Sequence, residues 1–290
     1  MGKVKNRQFW ESATMNNATF MQYYRRLVEI SISQFEWLGF PETVDTRYLE
    51  LALFAEGKAV FFKDDVMGYL GLQCLVQGDL SVYRVPKKRR AISVNGYQKD
   101  LTDKNSVLIY NNFLRTNSML DVEMYAKRLY NIDRTIDVNV NAQKTPVLIS
   151  CSEDERLTMK NAYMKYEGNE PVIYGDKNLN PANLKVFNTG APYVANNLYE
   201  LRTKIWNEAM TFQGIANVGD EKKERMITEE VQTSQGAVLA YRYSRLEPRK
   251  QAARQINAMF PELGGKVDCR YRESVAEYAE KMKEEVIENE

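Results

Sequence analysis

Apolar side chains recur at helical spacing in three long stretches of the chain. In the first, Asn17–Leu38, they fall three or four positions apart, and Gly39 and Pro41 then supply a stop. The same spacing runs through Ser118–Val140 and through Asn197–Ala216. We therefore predict three long amphipathic helices, each of which turns one apolar stripe toward a core.

The helix predicted at Asn197–Ala216 is apolar on more than one side. Its main stripe includes Leu201 and Ile205, whereas Trp206 and Met210 lie on the opposite side. Because a helix that is apolar on two sides needs two neighbours, we expect a second element to cover it. That element could be another copy of the chain.

The remaining helical pattern is shorter or weaker. Asp45 is placed to cap a short helix at Thr46–Glu56. Toward the C-terminal end we predict, in chain order, a charged loop or weak helix, a helix, a strand and an acidic helical tail: Val218–Gln235, Glu247–Phe260, Lys266–Tyr271 and Arg272–Glu290.

Between residues 58 and 112 the period shortens to that of β-strands. Turn residues at Gly78-Asp79, Pro86 and Asn95-Gly96 separate four β-branched and aromatic runs: Ala59–Lys63, Ser81–Val85, Ala91–Tyr97 and Val107–Tyr110. They predict a small antiparallel barrel or sandwich between the helices. Residues 144–194 mix four prolines with short strands at Val147–Ser150 and Pro171–Tyr174. The fold class is thus mainly α with an inserted small β barrel, that is, α+β.

The complete absence of histidine narrows the functional classes. It removes the usual general base near neutral pH and the commonest metal ligand, and it excludes Ser–His–Asp and Cys–His catalysis. Three cysteines, Cys74, Cys151 and Cys269, lie far apart, which favours buried thiols over a disulfide framework or a zinc site. We therefore predict a protein that is not an enzyme, with no catalytic residue, metal or cofactor.

Two acidic clusters leave a rival hypothesis open. Asp64-Asp65 and Glu153-Asp154-Glu155 could bind magnesium, as in a nuclease that works with carboxylates alone. Adjacent carboxylates point in different directions on regular structure, so the pattern is weak. A Gly-rich phosphate-binding loop of the Walker type is missing from the sequence, which argues against an ATP motor. No apolar run reaches the roughly 18 residues of a membrane span.

The charge is almost balanced, with 40 basic and 39 acidic residues. Proteins that grip DNA tightly carry a basic excess, so any contact with nucleic acid must be local, weak or multiplied by assembly. One basic cluster, Arg84 with Lys87–Arg90, lies on a predicted hairpin. It is either a phosphate-facing patch or, the reading we favour, a solvated turn that protects a sheet edge. Glu221–Arg225 alternates in sign, as solvated helix faces do.

Five ordered blocks give the chain a family resemblance: Val138–Ile149 (VNVNAQKTPVLI), Tyr166–Ile173 (YEGNEPVI), Ala191–Val194 (APYV), Trp206–Ile215 (WNEAMTFQGI) and Glu221–Val231 (EKKERMITEEV). In these the chain resembles the upper collar, or head–tail connector (portal), protein of small short-tailed bacteriophages of the Picovirinae type. Weaker matches lie upstream at Phe35–Trp37 and Ile109–Asn112. Dense matching is confined to the second half of the chain.

The resemblance implies a ring of about twelve subunits at one capsid vertex, with long stem helices around a channel for double-stranded DNA. It divides the chain into N-terminal helices (1–57), an SH3-like β wing (58–115), a stem helix (116–141), an α+β clip (142–196), a second stem helix (197–217), a mobile channel loop (218–236), and wing or crown helices with an acidic tail (237–290). The implied function is a structural portal subunit for packaging and ejection of the genome. The alternative is another ring-forming tail or collar adaptor.

The same resemblance suggests residues that contact nucleic acid. Lys222, Lys223 and Arg225 are the candidates for DNA contact in the channel loop, without base specificity. The channel-lining lysines of the family fall on Asn188 and Asn197 here, so nearby Lys185, Arg202 and Lys204 are substitute candidates. The basic arm that binds packaging RNA in relatives is reduced to three side chains: Lys3, Lys5 and Arg7.

The implied partners are other copies of the chain, non-specific DNA, a packaging ATPase, packaging RNA, the major capsid and scaffolding proteins, and the lower collar or tail protein. The implied location is the virion, at a capsid vertex, after assembly in the host cytoplasm. No membrane partner is expected.

Overall fold

A computed structural model describes residues 2–143, 147–149, 184–186, 192–215 and 228–272 of the chain. The chain divides into two compact units. The larger combines Met1–Tyr130 with Thr203–Glu290, and the smaller is Asn131–Arg202. None of the helices in the described ranges is long and apolar enough to cross a membrane.

Five α-helices are described: α1 Gly2–Ser33, α2 Thr46–Glu56, α3 Met119–Ala142, α4 Ala195–Phe212 and α5 Thr228–Met259. The long helices predicted from Ser118 and from Asn197 are confirmed, with ends displaced by a few residues. The first predicted helix was extended too far, because Phe35–Leu38 is a strand. In this strand every second residue, Phe35 and Trp37, is buried. Over only four residues this pattern is hard to distinguish from one turn of an amphipathic helix.

Helix α5 corrects two predictions at the C-terminal end. We expected a loop or weak helix at Val218–Gln235 and a separate helix from Glu247, but a single helix of 32 residues begins at Thr228. Its first eight residues, Thr228–Gln235, are mostly polar, and its interior contains Pro248, so neither periodicity nor propensity marks it as one helix. The part of the predicted loop before Thr228, residues 218–227, lies outside the described residues.

The prediction for α2 is confirmed at both ends. The carboxylate of Asp45 accepts a hydrogen bond from the backbone N–H of Tyr48 at 3.0 Å, which satisfies a donor at the start of the helix. Gly57 ends the helix with a φ of 77°, in the left-handed region where glycine is favoured. A Cβ at Gly57 would lie 2.5 Å from the carbonyl carbon of Thr116, so both backbone geometry and space require glycine here.

Nine strands are described: β1 Phe35–Leu38, β2 Lys58–Asp64, β3 Gly68–Leu80, β4 Pro86–Ile92, β5 Gln98–Thr102, β6 Ser106–Tyr110, β7 Val147–Ile149, β8 Leu184–Val186 and β9 Asp268–Tyr271. The predicted strands at Ala59–Lys63, Val107–Tyr110 and Lys266–Tyr271 are confirmed as β2, β6 and β9. The predicted strand Ser81–Val85 is wrong, since these residues form the turn between β3 and β4. Only the first two residues of Ala91–Tyr97 are strand, and the turn at Asn95-Gly96 is confirmed.

Two strands of the sheet were missed. Strand β5 is polar, with Leu101 as its buried residue, so its sequence carries little strand signal. Strand β3 passes through the turn predicted at Gly78-Asp79, because the ladder to β4 shifts register between Gln77 and Leu80 and absorbs the turn residues as an irregularity. A glycine inside a strand often marks such a position.

Strands β2–β6 form one antiparallel sheet in the order β5-β4-β3-β2-β6, which is not a closed barrel. This corrects the predicted barrel. The outer strands β5 and β6 are nevertheless joined by residues 103–105 alone. Four peptide steps reach at most about 14 Å, whereas the outer strands of a flat five-stranded sheet lie about 19 Å apart. The sheet must therefore curl, and it leaves an open seam between β5 and β6.

The curled sheet buries apolar side chains on both faces. The concave face holds Val60, Phe62, Cys74, Ala91, Leu101 and Leu108. The other face contributes Ala59, Phe61, Val107 and Ile109 to a core shared with α2, α5, β1 and β9. Phe61 and Phe62 are both fully buried, and each such side chain stabilises the fold by about 2–3 kcal/mol. The predicted buried state is confirmed for the free thiols of Cys74 and Cys269, while Cys151 lies outside the described residues.

The smaller unit contains the paired strands β7 and β8 and a side-chain link from Asn139 to the segment before α4. Strand β7 pairs with β8 in antiparallel register, with Leu148 opposite Lys185, which confirms the strand predicted at Val147. Asn139 of α3 donates to the carbonyl of Pro192 at 2.8 Å and accepts from the N–H of Val194 at 3.0 Å. This bidentate amide fixes the chain that enters α4. The predicted strand at Pro171–Tyr174 lies outside the described residues.

Candidate functional site

The predicted apolar stripe of α3 is confirmed as a core face in its first half only, since Val140 at its end is exposed. Val122, Tyr125, Leu129 and Ile132 are buried at helical spacing. Burial and the neighbouring carboxylate of Glu208 raise the pKa of Tyr125 to about 12, so the phenol remains a hydrogen-bond donor. Its hydroxyl donates to Glu208 Oε1 of α4 at 3.4 Å. Arg128 contacts the same carboxylate, with Nη1 at 3.4 Å from Oε2.

The two-sided helix α4 finds its second neighbour within the chain. Ile205 and Ala209 are buried on its main stripe, and Met210 is buried on the other side. Trp206 contacts α1, where the guanidinium of Arg26 lies 4.5 Å from its ring centroid and Tyr23 lies 6.4 Å away. In the larger unit, therefore, the apolar back of α4 does not require another copy of the chain.

Other apolar side chains on the helices remain exposed. In the larger unit these are Leu120 and Met124 of α3, Phe113 and Leu114 before it, and Leu239, Tyr241 and Tyr243 of α5. Leu239 and Tyr243 are four residues apart and so share one face of α5, with 61% and 63% of their surfaces accessible. In the smaller unit the exposed members are Val138, Val140, Tyr193, Tyr199 and Leu201. Large apolar groups left in water on regular helices mark interaction surfaces.

The structure places the predicted channel-lining residues in different environments. Arg202 forms an ion pair with Asp133, at 3.2 Å between Nη1 and Oδ1, and its guanidinium covers the ring of Tyr199 at 4.4 Å. Lys204 and Asn197 are exposed on α4. In the part of the chain that the structure describes, Lys204 has no ion-pair partner, so its charge faces solvent undiminished. The backbone of Lys185 lies in β8.

Only some of the remaining residues predicted to contact nucleic acid lie within the described ranges. The backbones of Lys3, Lys5 and Arg7 lie in α1. Lys222, Lys223, Arg225 and Asn188 lie outside the described residues, as do Glu153, Asp154 and Glu155 of the rival magnesium hypothesis.

The basic cluster of the wing is divided by the strand that carries it. The predicted hairpin is confirmed, since β3 and β4 are antiparallel neighbours and the exposed Arg84 lies in the turn between them, whereas Lys87–Arg90 belong to β4, an interior strand of the sheet. Alternation along a strand sends Arg89 to one face and its neighbours to the other. Arg89 is buried, Arg90 pairs with Asp100 at 2.6 Å, and Lys87 and Lys88 remain exposed. Because β4 is an interior strand, the cluster does not protect a sheet edge, and Arg89 is withdrawn from any surface patch.

The first acidic pair is engaged by protein groups. Asp64 accepts hydrogen bonds from the Tyr97 hydroxyl at 2.6 Å, from Lys99 Nζ at 3.0 Å and from the backbone N–H groups of Val66 and Met67. The hydrogen bond from Tyr97, followed by the backbone donors, holds the pKa of Asp64 well below its usual range. Among the described residues, no three Cys, Asp or Glu side chains are grouped to hold a metal ion.

A buried ion pair, which the sequence did not predict, joins three elements and the segment that follows β6. Arg249 of α5 donates from Nε and Nη2 to the two carboxylate oxygens of Glu50 in α2, at 3.0 and 2.8 Å. Its remaining donors reach carbonyls of Asn111 and Arg245, and Trp37 donates to Glu50 Oε1 at 2.8 Å. The available signal was the position of Arg249, between Leu246 and Ala253 on the apolar stripe of the predicted helix.

A model of the Phage Connector (GP10) family matches residues 1–276 of this sequence. The chain belongs to this family. As a connector, it is a subunit of the head–tail connector, or portal, that serves DNA packaging, and it is a virion component. The connector family is structural and is not a known enzyme family.

Three solved structures are similar to the connector chain at low sequence identity. A chain from the portal and tail of native bacteriophage P68 is 14% identical, with a TM-score of 0.49 over 99% of this chain and 97% of that one. An HK97 family phage portal protein from Corynebacterium diphtheriae is 12% identical, with a TM-score of 0.43 over 87% and 92%. A chain from the virion of a native gene transfer agent particle is 9% identical, with a TM-score of 0.46 over 91% and 83%. The family assignment therefore rests on the family model.

Proposed function

We propose that the connector chain closes with identical copies into a ring of about twelve subunits at one capsid vertex. The ring conducts double-stranded DNA inward during packaging and outward during ejection. ATP hydrolysis belongs to a separate motor protein that docks on it. The observation that carries this proposal, beyond family membership, is the set of exposed apolar side chains on α3, α4 and α5, which a closed ring would remove from water.

Within this ring, DNA is held by charge and shape without base recognition. A chain with a net charge of +1 does not bind phosphates tightly, which suits a channel through which DNA must slide. Because each subunit of a ring contributes the same lysine, one lysine per chain gives a circle of positive charges around the channel. We assign this role to Lys204, whose charge is unpaired in the described structure, and to Lys222, Lys223, Arg225 and Lys185. Arg202 contributes less because Asp133 offsets its charge.

The partners follow from the segments of the chain. The sheet within residues 58–115 forms the wing that meets the major capsid and scaffolding proteins. Residues 142–196 form the clip that faces the packaging ATPase, and the lower collar or tail protein attaches below the ring. Lys3, Lys5 and Arg7 on α1 give packaging RNA a small basic contact, which is weaker than a long basic arm would provide.

The ring proposal is tested by placing charge on an exposed apolar face. Leu239→Glu combined with Tyr243→Glu puts two carboxylates on α5, where burial against another subunit would leave them unpaired. In native mass spectrometry we expect the unaltered chain to give a closed oligomer and the double variant to give monomers with an unchanged circular dichroism spectrum. The matched control is Val94→Glu, at a turn residue that is 93% exposed, which should leave the oligomer intact.

Two outcomes would contradict the proposal. An unaltered chain that remains monomeric at high concentration excludes the ring itself. A ring that electron microscopy of particles locates wholly below the capsid vertex makes the chain a tail or collar adaptor instead of a portal.

A further inference from the structure

An open groove of about 590 Å³ lies between the sheet and the C-terminal half of α5. The sheet side is the seam left between β5 and β6, with Arg89, Asp103 and the β6 residues Ser106–Leu108 and Tyr110. The helix side includes Pro248, Ala252, Gln255, Ala258 and Met259. All these residues belong to the larger unit. Because β6 is an outer strand, its backbone groups on the side away from β2 have no strand partner in the described part of the sheet.

A buried cation without a carboxylate partner lies in the wall of this groove. Arg89 is only 4% exposed, and its Nη1 and Nη2 donate to the carbonyls of Ser106 and Pro86, both at 3.0 Å. Its Nε–H has no acceptor. Burial lowers the pKa of Arg89, which means that the surroundings disfavour the charged form. A buried arginine normally has an anionic partner, since neutral carbonyls compensate its charge only in part.

A second buried polar atom beside Arg89 also lacks a partner. Tyr110 lines the same groove, and its hydroxyl is buried and makes no hydrogen bond. The exposed guanidinium of Arg115 covers the Tyr110 ring, 4.6 Å from its centroid, and brings another positive charge to the rim. Asp103 is the acidic residue among the lining groups. Two unsatisfied donors and two cations converge here against one carboxylate, so the groove is complementary to an additional acid.

We propose that this groove binds an extended peptide segment of another protein, with a carboxylate side chain seated between Arg89 and Tyr110. The free edge of β6 supplies backbone hydrogen bonds to the segment, as in other cases of strand addition. The carboxylate accepts from Arg89 Nε–H and from the Tyr110 hydroxyl, and Ala252, Ala258 and Met259 contact its apolar neighbours. Strand addition at the seam continues the curled sheet.

The experiment uses the full-length protein and two labelled peptides. One is a fluorescein-labelled peptide of the sequence valine–threonine–valine–glutamate–valine, and the other has glutamine in place of glutamate. In fluorescence anisotropy we expect the glutamate peptide to bind at least about tenfold more tightly, because hydrogen bonds to a charged acceptor are the stronger ones. Equal affinity for the two peptides, or no binding of either at about 1 mM, would overturn the proposal.

Variants locate the bound peptide. Tyr110→Phe removes the unpaired hydroxyl and little else, and it should weaken binding about threefold to tenfold, the effect of one hydrogen bond. Ala258→Trp fills the groove from an exposed helix position and should abolish binding. Arg254→Trp, on the exposed surface of the same helix and outside the groove, should leave binding unchanged.

The remaining outcomes are equally decisive. Binding that survives Ala258→Trp would place the peptide elsewhere and contradict the proposal. If inorganic phosphate at a concentration similar to that of the peptide, or a short DNA duplex, displaced the glutamate peptide from the unaltered protein, the groove would be a general anion site and the peptide proposal would fail. Because binding is measured on soluble protein of any oligomeric state, a failure here leaves the ring proposal standing, and the reverse also holds.

Discussion

Individual residues decide where the helices of this connector stop and where they are locked together. Asp45 and Gly57 act within α2 and were predictable, because capping and left-handed turns are local in sequence. The buried pair Glu50 and Arg249 joins positions 199 residues apart. A local sequence pattern around Arg249 cannot predict that Glu50 is its partner. Sequence shows that Arg249 occupies an apolar stripe. Only the tertiary structure shows which acid it meets.

Breaking this pair from one side should be costly. Arg249→Met leaves the Glu50 carboxylate buried with Trp37 as its remaining donor, and we expect the free energy of unfolding to fall by about 3–5 kcal/mol. Urea unfolding followed by circular dichroism measures the loss. Combining Arg249→Met with Glu50→Gln should recover part of it, since no buried charge is then left unpaired. The control, Arg254→Met, removes an exposed partner of Glu247 and should cost less than about 1 kcal/mol.

At the scale of elements, periodicity predicted the long amphipathic helices and the apolar strands but failed for polar ones. Helix α3 and strand β6 carry their signals in buried residues such as Leu129 and Ile109. Strand β5 and the first eight residues of α5 are mostly polar. Strand β5 is instead stabilised by its pairing with β4, and the start of α5 by continuation of the helix that follows it. The open seam was not predictable either, because closure of a sheet depends on whether its two outer strands meet, which has no local signature.

Two glycines in helical surroundings should respond in opposite ways to the same substitution. Gly57→Ala forces a left-handed residue to carry a Cβ that would lie 2.5 Å from the Thr116 backbone, and we expect a loss of about 1–3 kcal/mol. Gly236→Ala lies within α5 with nothing within 4 Å of the added Cβ, so it should stabilise the protein by about 0.5–1 kcal/mol. Thermal unfolding of both variants checks the signs. A stabilised Gly57→Ala would contradict the close contact with Thr116.

At the scale of the whole molecule, the sequence alone predicts the functional class. The absence of histidine and the balanced charge argued against an enzyme and against tight DNA binding, and the family resemblance supplied the connector. The candidate DNA contacts were harder to predict from the sequence, because whether a residue faces the channel depends on how the subunits assemble. A second reason is that tertiary contacts within the chain change the charge a residue presents, as at Arg202, which Asp133 of the same chain offsets.

DNA contact by the loop can be separated from assembly. Replacing Lys222, Lys223 and Arg225 with glutamine removes three positive charges per subunit, so we expect an unchanged ring mass but less DNA retained in packaged particles, with a weaker dependence on salt. Nuclease-protected DNA per particle is the measurement. A matched double variant, Lys87→Gln with Lys88→Gln, removes exposed charges from β4 and should retain DNA normally. Equal DNA loss in the two variants would contradict a specific role for the loop.

Pro248 makes α5 easier to bend at one position. Proline has no amide hydrogen, so the backbone hydrogen bond from position 248 to the carbonyl of Ser244 cannot form. The helix therefore bends most easily at this position. The residue that follows, Arg249, is clamped to α2, so deflection is confined to the N-terminal side of this joint. In the proposed ring every copy carries the same joint, so each α5 bends most easily at this position while its clamped half stays in place.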